Sequence, residues 1–228
     1  MKSNQHGNAA TFGKQNPMRK LSIIVIAAFG ILALANLALA QDGSNKQFSL
    51  SSMTFQNNAT LPLSMIYDYE YNGTNVCSLN GAPGGDESPE LSWTNTPRRT
   101  RSFVVTAFDT TAGVTHWGMY NISATATGLP QNAGVTGSSY GLQVINTYGS
   151  AGSNADLNYG GPCPPADYPP NVHHYVFTVY ALDTELSLPS SANFPPTALT
   201  LYRALVWAGG SGHILATASI TGLYSTTP

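Results

Sequence analysis

Four runs along the chain carry the residue pattern of strands. "SFVVTAFD" (102–109), "HWGMYNI" (116–122), "HYVFTVYALD" (174–183) and "ILATASITGLY" (214–224) are rich in β-branched and aromatic residues. Within the third, "YVFTVYAL" is apolar at nearly every position, which predicts a strand covered on both faces. Between the runs lie "NGAPGGDESPE", "TNTPRRT" and "TGLPQNAG", all of turn composition. One stretch has helical character instead. "TALTLYRALVW" (197–207) follows Pro195-Pro196, opens on a threonine that can cap, and stops at Gly209-Gly210. No internal repeat is found, so the pattern predicts a mostly-β domain with one or two short helices.

The N-terminus reads differently. Lys14, Arg19 and Lys20 precede the uncharged segment "LSIIVIAAFGILALANLALA" (21–40), which ends in Ala-Leu-Ala. A basic region, an apolar core and a small-x-small end describe a secretory signal over residues 1–40, cleaved before Gln41. That would leave a single domain over residues 41–228 in the periplasm or secreted. The apolar segment is also long enough to cross a bilayer, so an uncleaved membrane anchor is the alternative. Cleavage would leave Lys46, Arg98, Arg99, Arg101 and Arg203 against eleven acidic residues, a net charge of −6. Such a balance argues against nucleic acid or an anionic membrane surface as partner, and against stable membrane insertion of the mature chain.

Cys77 and Cys163 are the only cysteines, both in the exported part. In an oxidising compartment two cysteines in Gly/Pro-rich loops pair. The alternative is a reactive Cys163 thiolate beside a histidine.

For chemistry, His173 and His174 are neighbours, and in a strand they point to opposite faces. His116 could meet one of them with Asp109 as a third metal ligand, but no CxxC or HExxH spacing supports this, so neither metal nor cofactor is expected. "GSSYG" (137–141) matches Gly-x-Ser-x-Gly around Ser139, yet the strand before it and the helix after it are missing, so no catalytic residue is assigned. The constellation that survives is Asp109, His116, the loop from Gly161 to Pro165, His173 and Tyr175. Each lies at the end of a strand-like run or in the rigid "GPCPP" loop, where polar groups gather at one rim of a β scaffold. Imidazoles and glycine amides there would donate to a small anion.

Several of these motifs come in a telling order: "SPELSW" (88–93), "SFVVTAFD", "HWGMYNI", "GLP" (128–130), "GPCPP" (161–165), "HHYVFTVYALD" and "GHILATASITGLY" (212–224). Together, over roughly residues 48–225, they resemble the phosphatidylethanolamine-binding protein family, specifically its bacterial Raf-kinase-inhibitor-like branch. The resemblance implies an antiparallel β-sandwich with a shallow pocket for phosphate-like head groups. It assigns the ligand-binding positions to Asp109, His116, Gly161, Pro164, Pro165, His173 and Tyr175. Exported members of that branch share the two-cysteine arrangement of Cys77 and Cys163. It also implies a non-enzymatic role, with an interaction or inhibitor module acting on a protein partner (a protease or kinase) as the alternative and a hydrolase as a third reading. One departure matters. The family's Asp-Pro-Asp-x-Pro signature is here "DTTAG" (109–113), the link to His116 is short, and Thr115 stands where an aromatic residue is expected. A more open, less rigid rim follows as the expectation.

Overall fold

The computed structural model describes residues 46–148, 157–166, 169–191 and 194–228. The expected signal segment lies outside the described residues. The elements, in chain order, are β1 (Ser49–Ser51), β2 (Ala59–Thr60), β3 (Glu70–Tyr71), β4 (Thr74–Asn75), β5 (Leu91–Thr94), β6 (Ser102–Asp109), β7 (Val114–Ser123), β8 (Gly128–Leu129), β9 (Leu142–Gln143), β10 (His173–Leu182), α1 (Ala198–Gly210) and β11 (Ile214–Tyr224). All four expected strands are present within two residues of their sequence bounds. The described residues are mostly β, with one α-helix and one 3-10 turn at Leu63–Met65, as the sequence predicts.

The large sheet has the order β2-β11-β10-β6-β7-β9, and a small sheet has the order β1-β5-β8. Every pairing in the large sheet is antiparallel except that of β2 with β11. Strand periodicity divides the large sheet's residues between two cores. Phe103, Val105, Ala107, Phe177, Val179 and Ala181 face the small sheet and pack with Phe48, Leu50, Leu91 and Trp93. The ring of Trp93 lies 5.0 Å from that of Phe103, and its Nε1 donates to the Ala126 carbonyl. The opposite face, with Val104, Tyr120 and Leu182, is covered by Leu201, Leu205 and Ala208 of α1. Thr197 caps that helix in a reciprocal arrangement with Thr200.

The expectation that β10 is covered on both faces needs correction. Its inward residues are buried, whereas Val176, Thr178 and Tyr180 on the other side are only half-buried and His174 is exposed. Helix α1 packs against Tyr180 and Leu182 at one end of that face. Farther along, the Thr178 hydroxyl bonds that of Ser219 on the neighbouring strand. An apolar run alone does not report that a covering helix stops short.

Candidate functional site

The site forms where β6 ends and β10 begins. Asp109 and Tyr175 are paired in register on these strands, and His173 lies one pleat farther along the same face. The diagonal relation lets the two polar side chains meet: His173 Nδ1 lies 2.6 Å from Asp109 Oδ2, with both side chains buried. His174, the next residue, is exposed and points away, as its place between His173 and Tyr175 predicts.

Asp109 also organises the turn that follows it. Its Oδ1 accepts the amides of Thr111 at 2.8 Å and Ala112 at 3.1 Å. Gly113 adopts a left-handed φ of 73° and donates its amide to the Asp109 carbonyl. Thr110 donates its amide to the His174 carbonyl, and the His174 amide donates to the Thr111 hydroxyl. The proline-free "DTTAG" link is therefore a closed hairpin clamped to β10. This differs from the looser rim expected from the missing prolines, because a buried carboxylate does the work of the rigid rings.

His116 reaches the same face by a different device. Across β6 and β7, Ala107 pairs with Trp117 and Phe108 with Thr115, so β7 spends one extra residue there, and that residue is His116. The bulge frees His116 from strict alternation with Trp117. Its ring centroid lies 5.1 Å from Tyr175 and 5.3 Å from Tyr148, edge-on to both. Tyr148 thus supplies an aromatic neighbour from another segment, where Thr115 itself is small and buried.

The "GPCPP" wall is tied down residue by residue. His116 Nδ1 donates to the Gly160 carbonyl at 2.7 Å, while the Gly160 amide donates to the His116 carbonyl at 2.9 Å. The Gly161 amide donates to Asp86 Oδ1 at 2.6 Å, and the Tyr148 hydroxyl donates to the Gly161 carbonyl. The Tyr67 amide donates to the Pro162 carbonyl, Cys163 is disulfide-bonded to Cys77, and the Thr226 hydroxyl donates to the Pro164 carbonyl. A Cβ on Gly161 would sit 2.3 Å from the Met65 carbonyl oxygen, so only glycine fits there. Pro164 is buried and Pro165 exposed. The structure therefore brings Asp109, His116, His173 and Tyr175 together and anchors the loop of Gly161 and Pro164 beside them. The alternative of a free Cys163 thiolate is overturned, since both cysteines are in the disulfide. "GSSYG" lies in turns before β9 with no helix after it.

Burial governs the protonation of these groups. Burial lowers the pKa of His116, against the Gly160 carbonyl and the Asp109 charge, which both favour the charged ring. Burial and the Asp109 charge push the Tyr175 phenol up, so it keeps its proton. Burial raises Asp86 to about 6, opposed by the Gly161 amide and reinforced by Asp68. Because a carbonyl only accepts, the hydrogen of neutral His116 is on Nδ1, leaving a lone pair on Nε2. Among the described residues no hydrogen bond is found for His116 Nε2 or His173 Nε2. Arg98, Arg99 and Arg101 precede β6, at the other end of a strand roughly 25 Å long. No three His, Cys, Asp or Glu side chains among the described residues are arranged to hold a metal ion.

Sequence reasoning missed Asp86, Tyr148 and the Gly160 carbonyl. Asp86 stands in "PGGDESP", where a turn explains the composition, and its left-handed φ of 49° fits that reading. Tyr148 and Gly160 lie in a segment with no strand or helix period to fix their direction.

Comparison with known proteins agrees with this architecture. The profile of the phosphatidylethanolamine-binding protein family matches residues 51–225. The UPF0098 protein YbcL of Escherichia coli is 38% identical over 162 residues, covering 66% of this chain and 78% of its own length. The UPF0098 protein PH1269 of Pyrococcus horikoshii is 30% identical over 214 residues, covering 91% and 90%. The crystal structure of E. coli YbcL, described as a new member of the mammalian PEBP family, superposes with a TM-score of 0.61 at 31% identity, over 78% of this chain and 98% of that one. The chain belongs to the phosphatidylethanolamine-binding protein family.

Proposed function

We propose that this protein is an exported, non-enzymatic binder of a small anion or phosphate-bearing head group, held between His173, His116, Tyr175 and the Gly161–Pro164 wall. The observation that carries the reading is the buried Asp109–His173 bond of 2.6 Å. A carboxylate behind Nδ1 orients the imidazole and stabilises its charged form when Nε2 meets an anion. Asp109 itself is occupied by His173 and two amides, so its role is to position the ring and not to touch the ligand. With Arg99 and Arg101 at the far end of β6, the His173 imidazole, backed by the Asp109 carboxylate, is the group on hand that can carry positive charge toward an anion. Family membership supports the same class of ligand. Titration calorimetry with inorganic phosphate tests the reading: the parent protein should bind and His173→Ala should lose at least tenfold in affinity. Equal binding by the two proteins would refute it.

A further inference from the structure

The two imidazoles differ in what stands behind Nδ1, a carboxylate for His173 and a backbone carbonyl for His116. His173 has its Nδ1 hydrogen on Asp109 Oδ2, so its Nε2 becomes a donor once the ring takes up a proton. His116 has its Nδ1 hydrogen on the Gly160 carbonyl, and its Nε2 is a bare lone pair. The groups facing His116 come from several segments. Asp109 is on β6, His173 and Tyr175 are on β10, and Tyr148 and the carbonyls of Gly160 and Gly161 belong to the loops around the site. Of these, Asp109, the carbonyls and the edge-on tyrosine rings offer no hydrogen to a lone pair on Nε2, and burial opposes charging the ring. A fully ionised oxyanion in this site would set one of its oxygens, lone pair against lone pair, on His116 Nε2. An oxyanion that still carries a hydroxyl would instead donate to it.

We infer that His116 is a specificity residue that accepts a hydrogen bond from a ligand hydroxyl, so that the site selects a protonated oxyanion of the hydrogen-phosphate kind over a fully ionised one such as sulfate. This rests on the anion-binding reading above and adds a restriction to it. Inorganic phosphate keeps at least one P–OH in both of its forms near neutrality. A phosphate monoester loses its only one above about pH 6, and sulfate has none.

The test is calorimetry on the parent protein with inorganic phosphate, sulfate and methyl phosphate between pH 5.5 and 8. Sulfate should bind roughly 10- to 100-fold more weakly than phosphate at pH 7.5, the cost of an unmatched acceptor. The ratio of methyl phosphate to phosphate affinity should fall about tenfold per pH unit above about pH 6, as the monoester gives up its hydroxyl. Taking the ratio cancels any pH effect common to the two ligands. Sulfate within threefold of phosphate, or a ratio that stays flat with pH, overturns the inference while leaving anion binding intact. Failure of all three anions to bind overturns both. A second readout needs no variant: the ring ¹⁵N signals of His116 should show a hydrogen on Nδ1 and none on Nε2, with and without phosphate. A hydrogen on Nε2 in the complex would contradict the assigned role.

Discussion

Replacing Asp86 by asparagine should stabilise the protein at neutral pH, although it removes a hydrogen-bonded charge. The carboxyl is raised from 3.8 to about 6, chiefly because it is taken out of water, partly offset by the Gly161 amide and reinforced by Asp68. The sign follows from proton counting. Between about pH 4 and 6 the folded state holds a proton at Asp86 that the unfolded chain has lost, so stability falls as pH rises through that window. A carboxyl moved that far corresponds to about 3 kcal/mol in full. Asp86 is only partly buried, and solvent screening reduces this to roughly 1–2 kcal/mol. Asparagine retains an oxygen for the Gly161 amide and has no charge to bury. Urea unfolding at pH 5 and pH 7.5 measures the effect: Asp86→Asn should gain roughly 1–2 kcal/mol at pH 7.5 and about half of that at pH 5, the middle of the window. Destabilisation by the same amount at pH 7.5 would show that the ionised carboxylate is a net support of the wall, and the reasoning from burial would be wrong. If the gain is found, the native sequence keeps at the "GPCPP" wall a carboxylate that costs stability. That is the signature of a residue retained for the site.

Three further outcomes follow from the same geometry. Removing the Cys77–Cys163 bridge frees a span of 86 residues in the unfolded chain, worth roughly 4–5 kcal/mol by chain entropy; a change below 1 kcal/mol in urea unfolding of the double alanine variant would mean the unfolded chain is already constrained. Gly161→Ala drives a methyl group into the Met65 carbonyl at 2.3 Å and the Tyr67 amide at 2.4 Å; it should cost about 1–3 kcal/mol, and an unchanged melting temperature would show that the wall yields. Asp109→Asn keeps an acceptor for the Thr111 and Ala112 amides but sets an amide NH₂ against His173 Nδ1–H; phosphate affinity should fall about tenfold with the fold intact, as expected when a charge-assisted bond is lost, whereas tighter binding would mean the carboxylate chiefly repels the ligand.

The sequence was legible where regular periods operate. Alternation alone separates His173 and Tyr175 from His174, and the register of β6 against β10 bears this out. Capping chemistry located the start of α1 at Thr197. Periodicity failed at His116, because strict alternation with Trp117 is broken by a bulge whose position depends on pairing with β6. It also failed for Asp86, which works through one bond to Gly161 across a separation of 75 residues. The missing prolines of "DTTAG" pointed to a loose rim, and only the bonds of Asp109 to its own turn reveal a closed one. Such effects belong to tertiary contact, and no window of neighbouring residues contains them.

In the proposed site His173 and His116 meet the ligand together. A histidine-selective ¹H–¹³C spectrum, titrated with inorganic phosphate, tests this most directly, because His174 and His213 serve as internal controls: His174 points away from the site and His213 is bonded to Asp183 and lies 5.2 Å from the Trp207 ring. The signals of His173 and His116 should move together along one saturable curve, with those of His174 and His213 unchanged. Saturable shifts confined to His174 or His213, or no saturable shift at His173, would contradict it.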